Sequence, residues 1–305
     1  MRLIDRLWYQ LNLRGLRLTQ PDPRHLNAQL LREVKEHAYD MIWIDKSGVL
    51  TADTLRKVKE IQPKCILVQY MIDDFMNLHH KTKNVLECIL VYDYYIVNRF
   101  ANIDELRSYG CKHPMHVFMS YESNFHYPRT ITDAEQQQLT HGADLGLIGT
   151  YERERAESIN YLANQGIKIC IWGDAWHKLK NLSPNLLIQG RGLYDDNFCK
   201  AIGAFRINLA FLRKKSRDFH TTRSSEIPAC GGFMLAERTD EHLSMFDEGK
   251  EAAFFVSNEE LLEKCRYYLS HEDERAAGRQ RCITSDYSNE GMIKRVMEYI
   301  INDRK

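Results

Sequence analysis

Along the chain, short apolar runs alternate with segments whose apolar positions recur at helical spacing. Runs at 39–44, 65–70, 94–97 and 116–119 predict buried strands, and helical patterns at 27–37, 52–61, 83–90 and 103–109 separate them. The rhythm breaks over 121–142, where Pro128 and a glutamine run leave room only for a linker with a short helix at 133–140. It then restarts, with strands expected at 145–148, 167–172, 186–189, 206–209, 233–235 and 253–256. Helices are expected at 152–164, 195–201, between Thr222 and Cys230, from Thr239, after a cap at Ser257 or Asn258, and at 272–284 and 289–301. Strands alternating with helices at this spacing form parallel sheets covered on both faces. The expected architecture is therefore α/β, with two Rossmann-like, doubly wound parallel-sheet domains. The first spans 1–127, a linker 128–143, the second 144–286, and a tail helix within 287–305 is expected to pack back on the first domain. Ligands of such sheets bind beyond the carboxyl ends of the strands. The chain opens on a helix rather than on a strand and a glycine-rich turn, so the first domain is expected to be shortened at its N-terminus.

Charge and cysteine usage narrow the partners. Lys plus Arg and Asp plus Glu are both 42, so no electrostatic bias points to nucleic acid. Eight cysteines are scattered without a CxxC pair, which fits reduced thiols in a cytoplasmic protein rather than a disulfide or metal framework. No run approaches the roughly 18 apolar residues of a membrane span, and no signal peptide is present. In the opening segment Leu3, Ile4, Leu7, Trp8 and Leu11 share a helical face flanked by arginines. That is the pattern of a core helix, and also of an interfacial one, which leaves peripheral membrane contact open as an alternative. GxGxxG, GxxxxGK[ST] and HExxH are all absent, so no dinucleotide cofactor, P-loop or metal is expected.

The richest stretch is 218–237, DFHTTRSSEIPACGGFMLAE. Arg213, Lys214 and Lys215 precede it. Thr221 and Thr222 stand where a helix N-cap belongs, and Gly231 and Gly232 where the helix should stop and turn with positive φ. A short helix with free first-turn amides, cations before it and acids at both ends suits a diphosphate and its attached groups.

Residues 223–235 (RSSEIPACGGFML), 246–251 (FDEGKE), Glu259-Glu260-Leu261 and Glu274-Arg275 closely resemble the carboxyl-terminal domain of the CgeB-like, spore-maturation glycosyltransferases. Ile148-Gly149-Thr150-Tyr151 with Arg155, and Trp172-Gly173 with Trp176, look like that domain's first two strand ends. Asp45-Lys46, Asp73-Asp74, and Asn98 with Glu105-Leu106 and Gly110 resemble the amino-terminal domain more loosely. The resemblance implies a GT-B architecture, with two domains facing across a cleft and a nucleotide-sugar donor held mainly by the second. In related retaining enzymes two acids with seven residues between them frame the phosphate-binding helix. Glu226 matches the second acid, and Asp218 stands at the first, where the pattern has glutamate.

On that footing Glu226 is expected to accept hydrogen bonds from the donor ribose, and Asp218 to touch the transferred sugar. Arg223 would pair with Glu226 or reach the diphosphate. Arg155, Arg213, Lys215 and the backbone around His220, Thr221 and Thr222 would meet the charge on the leaving diphosphate. Trp172 would offer a stacking face for the base, or else pack in the core. Asp73 and Asp74 are the acceptor-side candidates for a general base. The expected activity is metal-independent, retaining transfer of a sugar to an unidentified glycan, lipid-linked or protein acceptor. A binding protein without transfer activity, and a nucleotide-sugar epimerase or hydrolase, are the alternatives.

Overall fold

The computed structural model describes residues 8, 10–16, 18–180, 182–282 and 286–304. Most of the expected opening helix lies outside them. By internal contacts the chain divides into two units, one of 1–118 with 214–217 and 304, the other of 119–213 with 218–303 and 305.

The first unit runs α1 (Leu26–Glu36), β1 (Met41–Asp45), α2 (Ala52–Ile61), β2 (Ile66–Met71), α3 (Lys83–Cys88), β3 (Tyr94–Val97), α4 (Ala101–Ser108) and β4 (His113–His116). Its four strands are parallel and lie in sequential order. Local chemistry explains the helix starts: Thr51 accepts from the Thr54 amide and Thr82 from the Val85 amide, each as an N-cap. Leu55, Val58, Leu67, Phe75, Ile89 and Leu106 are fully buried and form the core. Strand β4 falls three residues before the apolar run at 116–119 that predicted it. Pairing decides this, because His113–His116 align with Tyr94–Val97, and the sheet edge tolerates Pro114, which has no amide to donate.

The second unit contains α5 (Asp133–Thr140), β5 (Leu145–Ile148), α6 (Arg153–Asn164), β6 (Ile169–Trp172), β7 (Leu186–Ile188), α7 (Asp195–Ala204) and β8 (Ile207–Ala210). It continues with α8 (Thr222–Ala229), β9 (Met234–Glu237), α9 (Asp240–Met245), β10 (Ala253–Phe255), α10 (Asn258–Ser270), α11 (Glu272–Cys282) and α12 (Asn289–Asp303). Six parallel strands lie in the order β7-β6-β5-β8-β9-β10, the doubly wound order, whose direction reverses between β5 and β8. Alternation sorts the faces: Ile169 and Ile171 enter the core with α6 and α10, while Cys170 and Trp172 enter the core with α5 and α7. Of the two offered caps for α10, Ser257 is the one used, accepting from the Glu260 amide.

The segment that leads into the expected linker is tied into the second unit. Tyr121 donates its amide to Tyr287 O and accepts from the Asn289 amide, and the Asn289 side chain bonds Glu122 at 3.1 Å. Residues 119–127, expected in the first domain, the 128–143 linker, and α12, expected to pack back on the first domain, all group by internal contacts with the second unit.

Gly231 and Gly232 do different things. Gly231 has φ 76° and closes α8 by donating to Pro228 O, as expected of a helix terminator. Gly232 lacks positive φ, and its constraint is space, since a Cβ there would lie 2.5 Å from Ile202 Cγ2 and 2.8 Å from Asn208 Nδ2. Gly232→Ala is expected to lower the unfolding free energy by about 1–3 kcal/mol, the usual range for overpacking. Urea denaturation checks this, and unchanged stability would show that the wall behind α8 yields.

Candidate functional site

The reversal between β5 and β8 opens a crevice at the carboxyl ends of those strands, and the residues of interest in the second unit gather there. Gly149 and Thr150 leave β5, Phe211 leaves β8, and α8 starts nearby. Arg155, on the first turns of α6, is buried and bridges the two strand ends, donating to Thr150 O at 3.1 Å and Phe211 O at 3.3 Å. Gly149 makes room for it, since a Cβ would sit 2.9 Å from Arg155 Nη1. Burial lowers the guanidinium's pKa, while Glu152 and Glu237 act to raise it. Arg155 thus bonds the backbone of the crevice, where the sequence reading had it meeting a diphosphate.

Helix α8 is anchored to the same crevice. Arg223 donates Nε–H to Ile148 O at 3.2 Å, ion-pairs with Glu226 one turn on, and lies 4.5 Å from the Phe198 ring centroid. Glu226 is half-buried and also faces His126 Nε2 at 3.7 Å. At the helix start Thr221 caps α8, its amide donating to Ser224 Oγ at 3.1 Å. The amides of Thr222 and Arg223 precede the intrahelical ladder, which leaves a positive helix end at the crevice. Asp218 is buried, with its amide on Arg213 O at 3.3 Å, and Arg213 is exposed and paired with Glu152 at 3.2 Å.

Two histidines support α8 from behind, and only one was anticipated. His220 is buried with both ring nitrogens engaged, Nε2 accepting from the Met119 amide at 2.8 Å and Nδ1 bonded to Glu241. His242 donates from Nδ1 to Glu237 O at 2.7 Å and accepts from Ser224 at Nε2 at 2.8 Å. Burial favours the neutral ring that this arrangement accommodates, pushing its pKa down to about 4. The sequence held one faint signal for this pair, a Thr-x-x-His start to α9, where Thr239 caps the His242 amide. His126 carried no signal at all.

Trp172 is a correction. It is 3% exposed, and its indole N–H donates to Leu139 O at 2.8 Å inside the core with α5, so it offers no face to a base. Trp176 is equally enclosed, bonded to Gly149 O at 2.8 Å.

In the first unit the aspartate pair separates into two roles. Asp74 is buried and accepts from Arg217 Nε at 2.7 Å, Arg217 Nη2 at 2.6 Å, Asn102 at 3.0 Å and the Met76 amide at 3.0 Å. Burial raises its pKa, but those donors outweigh burial and hold it below the usual carboxylate range. A carboxylate so saturated is no general base, and Asp74 serves the fold. Arg217 also pairs with Glu105 at 2.7 Å, and Arg99 donates to Ser216 O at 2.8 Å, which fixes residues 214–217 on the first unit. Lys215 lies exposed on that segment. Asp73 is partly exposed and paired with Lys46, with His80 Nε2 at 3.6 Å.

Residues 153–298 match a family model described as glycosyl transferase-like. Among solved structures, a glycosyltransferase from Rickettsia africae is similar with a TM-score of 0.64 at 12% identity, over 92% of this chain and 82% of that one. Anabaena HepE in complex with UDP-glucose gives a TM-score of 0.60 at 12% identity, over 91% and 82%. A UDP-forming trehalose-phosphate synthase from Burkholderia xenovorans gives 0.61 at 12%, over 93% and 80%. No curated protein is matched. At such identity these likenesses establish the fold. The chain has the two parallel-sheet α/β domains of the GT-B glycosyltransferase fold, and the residues that match the family model fall almost entirely in its second unit.

His242 sets a pH dependence. An imidazole whose folded pKa lies below its unfolded value of about 6.5 contributes stability above that value, lost as pH falls toward the folded pKa. The loss between about pH 6.5 and 4 is expected to approach 3 kcal/mol. His242→Gln should flatten that part of the stability-versus-pH curve in urea titrations, and an unchanged curve would mean that His242 titrates normally.

Proposed function

We propose that the protein is a CgeB-like glycosyltransferase that moves a hexosyl group from a nucleoside diphosphate sugar to an acceptor hydroxyl, with retention and without a metal. The observation that carries this reading is the Arg223–Glu226 pair on α8, placed beyond β5 at the point where a doubly wound sheet reverses. Anabaena HepE, similar in fold, is known in complex with UDP-glucose. Glu226 accepts from the ribose diol, as a carboxylate suits two adjacent hydroxyls. Arg223, the first amides of α8 and the exposed Arg213 meet the charge that grows on the diphosphate, and Asp218 contacts the transferred sugar. In the transfer the C1–O bond to the β-phosphate breaks and its electron pair leaves with the nucleoside diphosphate. The acceptor oxygen forms the new bond to C1, and its proton passes to the departing phosphate oxygen, so no separate base is needed. Asp73 remains the acceptor-side carboxylate that can orient the hydroxyl.

Seven cysteines of the described residues are buried and free, in keeping with a cytoplasmic location. No helix of the described residues is long and apolar enough to cross a membrane.

Calorimetry with a panel of nucleoside diphosphates tests the donor site. One of them should bind, and Glu226→Ala should weaken it by about tenfold or more, the loss of a charge-assisted pair of hydrogen bonds. Asp73→Ala should leave the affinity within about twofold. Equal effects would move the donor to the first unit, and no binding by any nucleotide would sink the reading.

A further inference from the structure

Beyond the carboxyl ends of β1 and β2 in the first unit lies a cavity of about 220 Å³. Its volume is below the roughly 300–1,000 Å³ of sites for drug-sized ligands, and it suits a single six-membered ring with its substituents. Trp8 forms one wall, its orientation set by the indole N–H donating to Thr19 O at 2.7 Å, while Met71 and Val85 supply apolar floor. Gln20, Lys46 and His80 bring polar groups to the same space.

Three features mark it as built rather than incidental. The Gln20 side chain lies over Gly48, where a Cβ would come within 2.3 Å of Gln20 Oε1, and among the described residues its carboxamide makes no hydrogen bond. Lys46 holds φ 39°, a left-handed conformation that a side chain adopts at a cost, and it does so paired with Asp73. The charges also cancel: Lys46 is offset by Asp73, and burial keeps His80 below its ordinary pKa despite Asp73. Among the described lining residues, an aromatic wall, an open carboxamide and a Lys46 charge offset by Asp73 are the complement of a sugar, whose C–H face stacks while its hydroxyls need directional partners. A phosphate would instead want uncompensated cations.

We propose that this cavity is a carbohydrate subsite that seats one neutral pyranose ring, the terminal sugar of the acceptor. The word acceptor rests on the transferase reading, whereas the binding of the ring does not.

Saturation-transfer NMR on the full chain tests it, with methyl glucosides, methyl galactosides and methyl N-acetylglucosaminides as probes and inorganic phosphate as competitor. At least one glycoside should bind in the millimolar range. Trp8→Ala and Gln20→Ala should each weaken it by about tenfold, with Glu226→Ala at wild-type affinity and phosphate without effect. Should Trp8→Ala fail to fold by thermal melting, Gln20→Ala carries the test. No binding by any glycoside, binding that survives both substitutions, loss in Glu226→Ala, or displacement by phosphate would each overturn the proposal. UDP titrated into the same samples separates the two readings: glycoside binding without any nucleotide binding removes the acceptor role and keeps the subsite.

Discussion

One buried guanidinium holds the second unit's crevice in shape. Where a doubly wound sheet reverses, two neighbouring strands send their chains to opposite faces, and their last carbonyls lose the ladder that satisfied them. Arg155 answers both, bonding Thr150 O from β5 and Phe211 O from β8. Burying a cation is costly unless its donors are met, and the two carbonyls of the crevice take Nη1 and Nη2 while Nε has no partner among the described residues. Gly149 leaves room for the guanidinium, Gly173 leaves room for Gly149, and Trp176 bonds the Gly149 carbonyl. The crevice is thus formed from backbone whose position is set before any ligand arrives, which is what electrostatic stabilisation of a developing charge demands.

Helix α8 depends on that frame. At eight residues, with Pro228 inside it, the helix has little stability of its own. Its N-terminus is supported by Ser224 and His242, its first turn by Arg223 on Ile148 O, and its end by Gly231 and the tight seat of Gly232. A short helix held at so many points keeps its free amides aimed in one direction. The first unit shows the same economy, with Asp74 and Arg217 ordering a turn and leaving Asp73 as the accessible carboxylate.

Much of this was legible in the chain. The apolar rhythm located all ten described strands to within a few residues, since strand and helix periods are written in neighbouring positions. The caps at Thr221 and Ser257 were equally local. The pairing of Arg223 with Glu226 follows from helical spacing alone.

What the residues could not announce were relations across long separations. Asp74 meets Arg217 at a separation of 143 residues, so an aspartate pair that resembled a catalytic turn became half structural. Trp172 faces the core because strand alternation and the packing of α5 put it there, and the same residue one register away would have faced elsewhere. Arg155 looked like a phosphate ligand until the reversal of strand order placed two carbonyls within its reach. By itself the sequence determined the elements, their order and the helix that carries the candidate donor site, because those depend on residues within a few positions of one another. Tertiary structure alone decided which charges are enclosed and which remain open to a ligand, because burial is a property of distant segments brought together.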